Sequence, residues 1–202
     1  MGRKVKVCKV HKVIKGVFTF TFLLFTFSCY SQSDSAFIHK GLIRAAGTFA
    51  FGTMPENNLT NAYLTGNLEY YADKKISFRG DVYYFLNSLT ANSPLAKNDA
   101  LYFGAFYHIP THSHLDPVIG LQPGISYTQM WISNNTAGGE RSPDVATICP
   151  LTSAVAGFNF FAEKWFHIQI NVRYTIGEHL TAADETNISE LSFNFGLGFN
   201  IN

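Results

Sequence analysis

A chain of 202 residues with 15 Lys and Arg against 14 Asp and Glu has a formal charge of +1, and only 14% of it is charged while 47% is hydrophobic. That balance gives no basic surface for nucleic acid, and three cysteines, at positions 8, 29 and 149, are too few for a disulfide scaffold. The charge is also unevenly placed: Arg3, Lys4, Lys6, Lys9, Lys12 and Lys15 all precede the first acidic residue, and the chain without them keeps nine cations against fourteen anions, a net of −5.

Those six cations open onto an uncharged run of 12 residues, Gly16 to Phe27. Such a run is shorter than the roughly 20 residues a membrane helix needs, and a basic leader before it reads as a cleavable secretory signal peptide. Cys29 and Ser31 supply a small-x-small site, so cleavage is expected between Ser31 and Gln32, giving a signal over 1–31 and one domain over 32–202. Thr26, Phe27 and Ser28 argue against Cys29 carrying a lipid. Cleavage removes Cys8 and Cys29 and leaves Cys149 as the only thiol, best read as a small apolar side chain on a strand.

From residue 41 onward the dominant signal is a period of two, the signature of strands. Strands are expected near 41–53, 59–72, 75–87, 99–109, 117–131, 148–161, 165–176 and 188–201. In the second, Ala62, Leu64, Gly66, Leu68 and Tyr70 oppose Asn61, Tyr63, Thr65, Asn67 and Glu69; in the third, Ile76, Phe78, Gly80, Val82, Tyr84 and Leu86 oppose Ser77, Arg79, Asp81, Tyr83, Phe85 and Asn87. The last strand is the clearest, with Leu191, Phe193, Phe195, Leu197, Phe199 and Ile201 against Ser192, Asn194, Gly196, Gly198 and Asn200. One parity is aliphatic or aromatic and the other small or neutral polar, which suits a wall between lipid and a packed, hydrated interior. An even number of strands, each about ten or more residues long, matches tilted strands crossing an outer membrane.

The connections divide by length. Ala72–Lys74 and Ala162–Lys164 are tight turns, whereas 88–98, 132–147 and 177–187 are longer and polar. Short turns belong on the periplasmic side and long loops outside, which places both ends of the barrel chain in the periplasm. The connection around Pro55 to Asn58 is short for an outer loop, and that over Pro110 to Asp116 is long for an inner turn. Tyr70, Tyr71, Trp165, Phe166 and Trp131 fall at strand ends, where amphipathic rings favour headgroup depth.

Eight strands enclose a space that side chains fill, so no wide pore is expected. The inward parity carries Arg44, Glu69, Arg79, Asp81, Arg173 and Glu190, three of each sign. Each buried charge requires a partner, and a balanced network that plugs the lumen and fixes strand register follows. His108, His112, His114 and His167 lie toward one end and read as solvated turn residues and a lumen histidine; no metal or cofactor site is assigned. No catalytic set is assignable either: Glu178, His179 and Thr181 in the last outer loop do not supply a nucleophile, a base and an orienting group. The outer loops, Leu89 to Asn98, Ser133 to Val145 and Glu178 to Asn187, are rich in Asn, Thr, Ala and Gly and offer a possible surface for an extracellular partner.

Alternation does not say which face points inward, and a soluble lipocalin-like carrier of an apolar ligand is the main alternative. A rim-located lipid-modifying enzyme is the second. Strand length and the scarcity of Lys and Glu on the polar parity favour the membrane. Over residues 37–202 the chain resembles the small eight-stranded outer-membrane barrels of the OmpA and OmpX kind, in particular the short barrels of Bacteroidota. The resemblance rests on the signal peptide ending CYSQ, the stretch DPVIGLQPGISY from Asp116 to Tyr127 and the closing GLGFNIN. It implies an all-β, up-and-down antiparallel transmembrane barrel in the bacterial outer membrane, a monomer with a structural or surface-interaction role and no enzymatic activity. Outer-membrane lipid and the barrel-assembly machinery are the implied partners. The sequence stops after the eighth strand, without the peptidoglycan-binding domain of full-length OmpA-like proteins. It ends in Ile201 and Asn202 instead of a terminal aromatic, which leaves Phe195, Leu197 and Phe199 to serve as the assembly signal.

Overall fold

The computed structural model describes residues 37–111, 113–133, 141–180 and 185–201. The expected signal peptide, His112 and Thr181 lie outside the described residues. Ten strands occur: β1 (Ile43–Met54), β2 (Leu59–Tyr71), β3 (Ile76–Ser88), β4 (Leu95–His108), β5 (Leu115–Ser133), β6 (Arg141–Pro143), β7 (Thr147–Glu163), β8 (Phe166–Leu180), β9 (Glu185–Asn187) and β10 (Glu190–Ile201). Every ladder is antiparallel, β10 pairs with both β8 and β1, and β1, β2, β3, β4, β5, β7, β8 and β10 therefore close into an eight-stranded barrel. Closure leaves no sheet edge, as lipid requires of a spanning sheet.

β6 and β9 lie off this ring. β6 pairs only with the end of β5 and β9 only with the end of β8, so two connections expected as loops rise from the rim as β-ribbons. We call this the ribbon end and the opposite one the short-turn end. At the short-turn end the chain enters through Gly41, whose φ of +86° suits a residue without Cβ, and Leu42 tucks beneath the barrel beside Tyr71 at 1% exposure. Phe37 stacks on Phe161 there, with ring centroids 5.2 Å apart.

The alternation read from the sequence is the alternation of the wall. In β10, Phe193, Phe195 and Phe199 face outward at 49%, 49% and 48% exposure while Ser192 and Asn194 are buried inside. The same outward parity carries Phe49, Phe51, Leu64, Leu68, Phe78, Val82, Leu101, Phe103, Ile119, Leu121, Val172 and Ile176. Asp99 and Glu178, near the ribbon end, and Glu163, past a bulge at the short-turn end, are the acidic residues described on the outer face of these strands, none of them at mid-height. A soluble carrier would invert this polarity. The lipocalin-like alternative is thus overturned, because the apolar parity is the outer surface and the polar parity is the interior.

Two local expectations need correction. A β-bulge at Ala62/Tyr63 puts Asn87 outside, although the strict alternation of β3 would put it inside. Tyr71, expected at the lipid headgroups, is fully buried in the lumen; its parity, shared with Glu69, decides its direction.

Candidate functional site

The filled lumen is where the candidate side chains gather. Ladder register dictates its first contacts: Arg44 of β1 faces Glu69 of β2, and Glu69 faces Arg79 of β3, so an acid lies between two arginines in one row across three strands. Arg44 Nη2 donates to Glu69 Oε2 at 2.5 Å and Nη1 to Asp116 Oδ2 at 3.4 Å. His108 stands between the same two acids, with Nδ1 at 2.9 Å from Asp116 Oδ1 and Nε2 at 3.2 Å from Glu69 Oε1. Tyr71 and Asn159 also donate to Asp116, and the Tyr71 ring lies under the Arg44 guanidinium. This cluster closes the short-turn half.

A second cluster sits at mid-height. Asp81 Oδ2 accepts from Arg79 Nε and Arg173 Nη2, both at 3.1 Å, and from Gln122 Nε2 at 2.6 Å. Arg173 also donates to Ser153 Oγ and to the Tyr83 hydroxyl, which in turn donates to Asn194. Between these side chains and Thr48, Thr65 and Val155 the space has a volume of about 0 Å³, too little for a water.

The ribbon half is closed differently. Met54, Leu59, Tyr63, Tyr83, Phe85, Leu95, Tyr102, Cys149, Leu151 and Ile188 form one buried cluster, with Tyr63 against Tyr83 and Tyr83 against Tyr102 in edge-on contact at 5.7 and 5.5 Å. Such tilted pairs are the favoured geometry of aromatic rings. Glycine on the neighbouring strand makes room for a ring: a Cβ at Gly124 would lie 2.5 Å from the Tyr102 ring.

All six lumen charges named from the sequence are inside, but they do not form the one balanced network that was expected. Five of them divide between the two clusters, and Glu190 belongs to neither: its Oε2 accepts from Asn61 Nδ2 and the Tyr63 hydroxyl, and no described cation pairs with it. The missing members are Asp116 and His108. Asp116 opens a strand that begins at Leu115, two residues earlier than the sequence suggests, and a residue assigned to a turn receives no parity. The signal was present in Asp116, Val118, Gly120 and Gln122, which share one alternation.

The described histidines are not brought together. His114 points to the Phe161 carbonyl, His167 is buried beside Phe161 with neither ring nitrogen hydrogen-bonded, and His179 lies near Cys149 at the ribbon end, Nδ1 to Sγ 3.8 Å. Among the described residues no group of three or more His, Cys, Asp or Glu is placed to hold a metal. Phe195, Leu197 and Phe199 line the outer face of β10.

One triplet has the connectivity of a hydrolase triad: Ser77 Oγ is 2.8 Å from His108 Nε2, and His108 Nδ1 is 2.9 Å from Asp116. The surroundings argue for a different use. Ser77 is fully buried and its hydroxyl is also bound to Glu69, so the proton a base would take is already directed at a carboxylate. Both ring nitrogens of His108 face acids, the pattern of a group donating from each side.

No family model matches the chain, and no curated protein does. Solved structures do. OprG from Pseudomonas aeruginosa superposes with a TM-score of 0.58 at 15% identity, over 82% of this chain and 99% of that one. Neisserial surface protein A gives 0.57 at 14%, over 79% and 95%. The N-terminal β-barrel domain of Pseudomonas aeruginosa OprF gives 0.55 at 10%, over 80% and 98%. The fold is that of a small outer-membrane barrel. At such low identity what is shared is the wall, eight strands around a packed interior, while the side chains that fill this interior are the chain's own.

Proposed function

We propose that the protein is a closed-lumen barrel of the bacterial outer membrane, acting as a structural or surface-interaction component and not as a pore or a catalyst. The inversion of polarity across the wall carries this reading: apolar residues outside, a hydrogen-bonded and ion-paired interior within. By the usual asymmetry of such barrels the ribbon end faces outward and the short-turn end the periplasm. The two ribbons, β5–β6 and β8–β9, then present their strands to the surroundings of the cell and are the natural place for an extracellular partner. Lipid contacts the belt, the face with Phe195, Leu197 and Phe199 serves the assembly machinery, and the closing GLGFNIN supports a place among the short Bacteroidota barrels.

The test is behaviour in lipid. The chain refolded into vesicles should migrate as a compact species until boiled and give no large conductance steps in a planar bilayer. Phe195→Lys should cost about 2–4 kcal/mol in vesicle unfolding if its site lies near the midplane. A protein that stays in solution without detergent, or a neutral Phe195→Lys, would defeat the proposal. Labelling of Ser77 by a fluorophosphonate would revive the enzyme.

A further inference from the structure

Among the described residues Glu190 is the one lumen carboxylate that no cation pairs with. It opens β10 opposite Thr175, one inward position nearer the ribbon end than Ser192, which faces Arg173. It is 93% buried from solvent by its 7% exposure, and the two hydrogen bonds it receives both come from neutral donors and both end on Oε2. Arg173, the nearest basic residue by ladder position, is already engaged by Asp81, Ser153 and Tyr83 and lies over the Tyr102 ring. A buried carboxylate supported only by dipoles is costly, so some positive species should accompany it.

The space for one is present. Glu190 lines a cavity of about 10 Å³ together with Tyr63, Tyr83, Asn98, Tyr102 and Thr175. That is the room one water-sized particle occupies. Besides Glu190 the walls carry four hydroxyl side chains and one amide, whose oxygens can ligate a cation, and three apolar side chains, Ala100, Leu151 and Ile188. The carboxylate is seated as well: Gly52 lies beneath it, and a Cβ there would fall 2.0 Å from Oε1. Next to it the side-chain oxygen of Asn61, a fully buried residue, has no hydrogen-bond donor.

We propose that this cavity is a binding site for a single monovalent cation of about the size of a water molecule, an alkali ion or ammonium, with Glu190 as its charged ligand. A divalent ion is matched less well: one carboxylate balances one positive charge, and the second charge of calcium or magnesium would stay buried without a counter-charge. The site lies in the aromatic half of the lumen, above the two ion-pair clusters, so its occupant is expected to come from the ribbon end.

The test uses the full chain refolded in detergent, melted in choline chloride and then in potassium, sodium or ammonium chloride at the same ionic strength. The wild-type midpoint should rise by about 3 °C or more in at least one of the three small cations, and Glu190→Gln, which keeps the shape and removes the charge, should not respond. Crystals soaked in rubidium or thallium should show an anomalous peak between Glu190 and Thr175. If Glu190→Gln does not fold, Glu190→Asp replaces it: a withdrawn carboxylate should change the ranking of the three cations. The proposal is overturned if the wild type responds to none of them between pH 7 and pH 9, which would mean that the carboxyl carries a proton instead, if Glu190→Gln responds as the wild type does, or if Glu190→Asp leaves the ranking unchanged.

Discussion

The two halves of the lumen are both closed, but by different forces. At the short-turn end Arg44, Glu69, His108 and Asp116 interlock through directed, charge-assisted hydrogen bonds, each side chain with a specific partner on another strand. At the ribbon end Tyr63, Tyr83, Phe85, Tyr102 and Leu151 fill space by shape, helped by bare glycine backbone beside the Tyr102 ring. The difference teaches where strand register is held. A one-residue slip would turn every inward charge toward lipid, and a network of paired charges penalises that error far more than a packed ring does.

The comparison can be broken most forcefully in the charged half. Arg44→Ala removes the one arginine shared by Glu69 and Asp116 and leaves His108 alone between two buried acids, so a loss of about 3–5 kcal/mol is expected in urea unfolding from vesicles. A loss below about 1 kcal/mol would mean that this half is held by packing after all. A smaller effect belongs to the aromatic half: Gly124→Ala pushes a methyl into the Tyr102 ring and should cost about 1–3 kcal/mol through overpacking. The compact form on unboiled gels should survive it, because the charged clusters that hold the register are untouched. The smallest effect sharpens the contrast. Tyr102→Phe keeps the ring and loses only a 3.3 Å hydrogen bond to Thr175, so about 0.5–1.5 kcal/mol should disappear. A larger loss would show that hydroxyls, and not ring shape, hold the ribbon half together.

Much of the wall was legible in the residues. All eight barrel strands lie where the period of two places them, and the closing run from Leu191 to Ile201 named its own lipid face. The interior was legible one residue at a time: Arg44, Glu69, Arg79, Asp81, Arg173 and Glu190 share the inward parity, yet parity does not tell which of them meet. Asp116 escaped because a strand boundary two residues off removed it from the alternation, and Tyr71 was misplaced because an aromatic ring at a strand end looks the same whether it faces lipid or lumen. The ribbons β6 and β9 are three residues each and carry no periodic signal of their own.

Alternation along each strand is a local property, since successive side chains leave a pleated backbone on opposite sides; together with strand length and the scarcity of charge on the polar parity it pointed to a membrane-type barrel, while which face is outside was fixed only by closure. The partners inside are set by neither strand alone. They depend on how eight strands stagger as the ring closes, which brings Asp116 to Arg44 from 72 residues away and leaves Glu190 among tyrosines with no cation of the described residues beside it. Only the closed tertiary structure fixes that stagger, because closure forces every ladder to agree on one register at once.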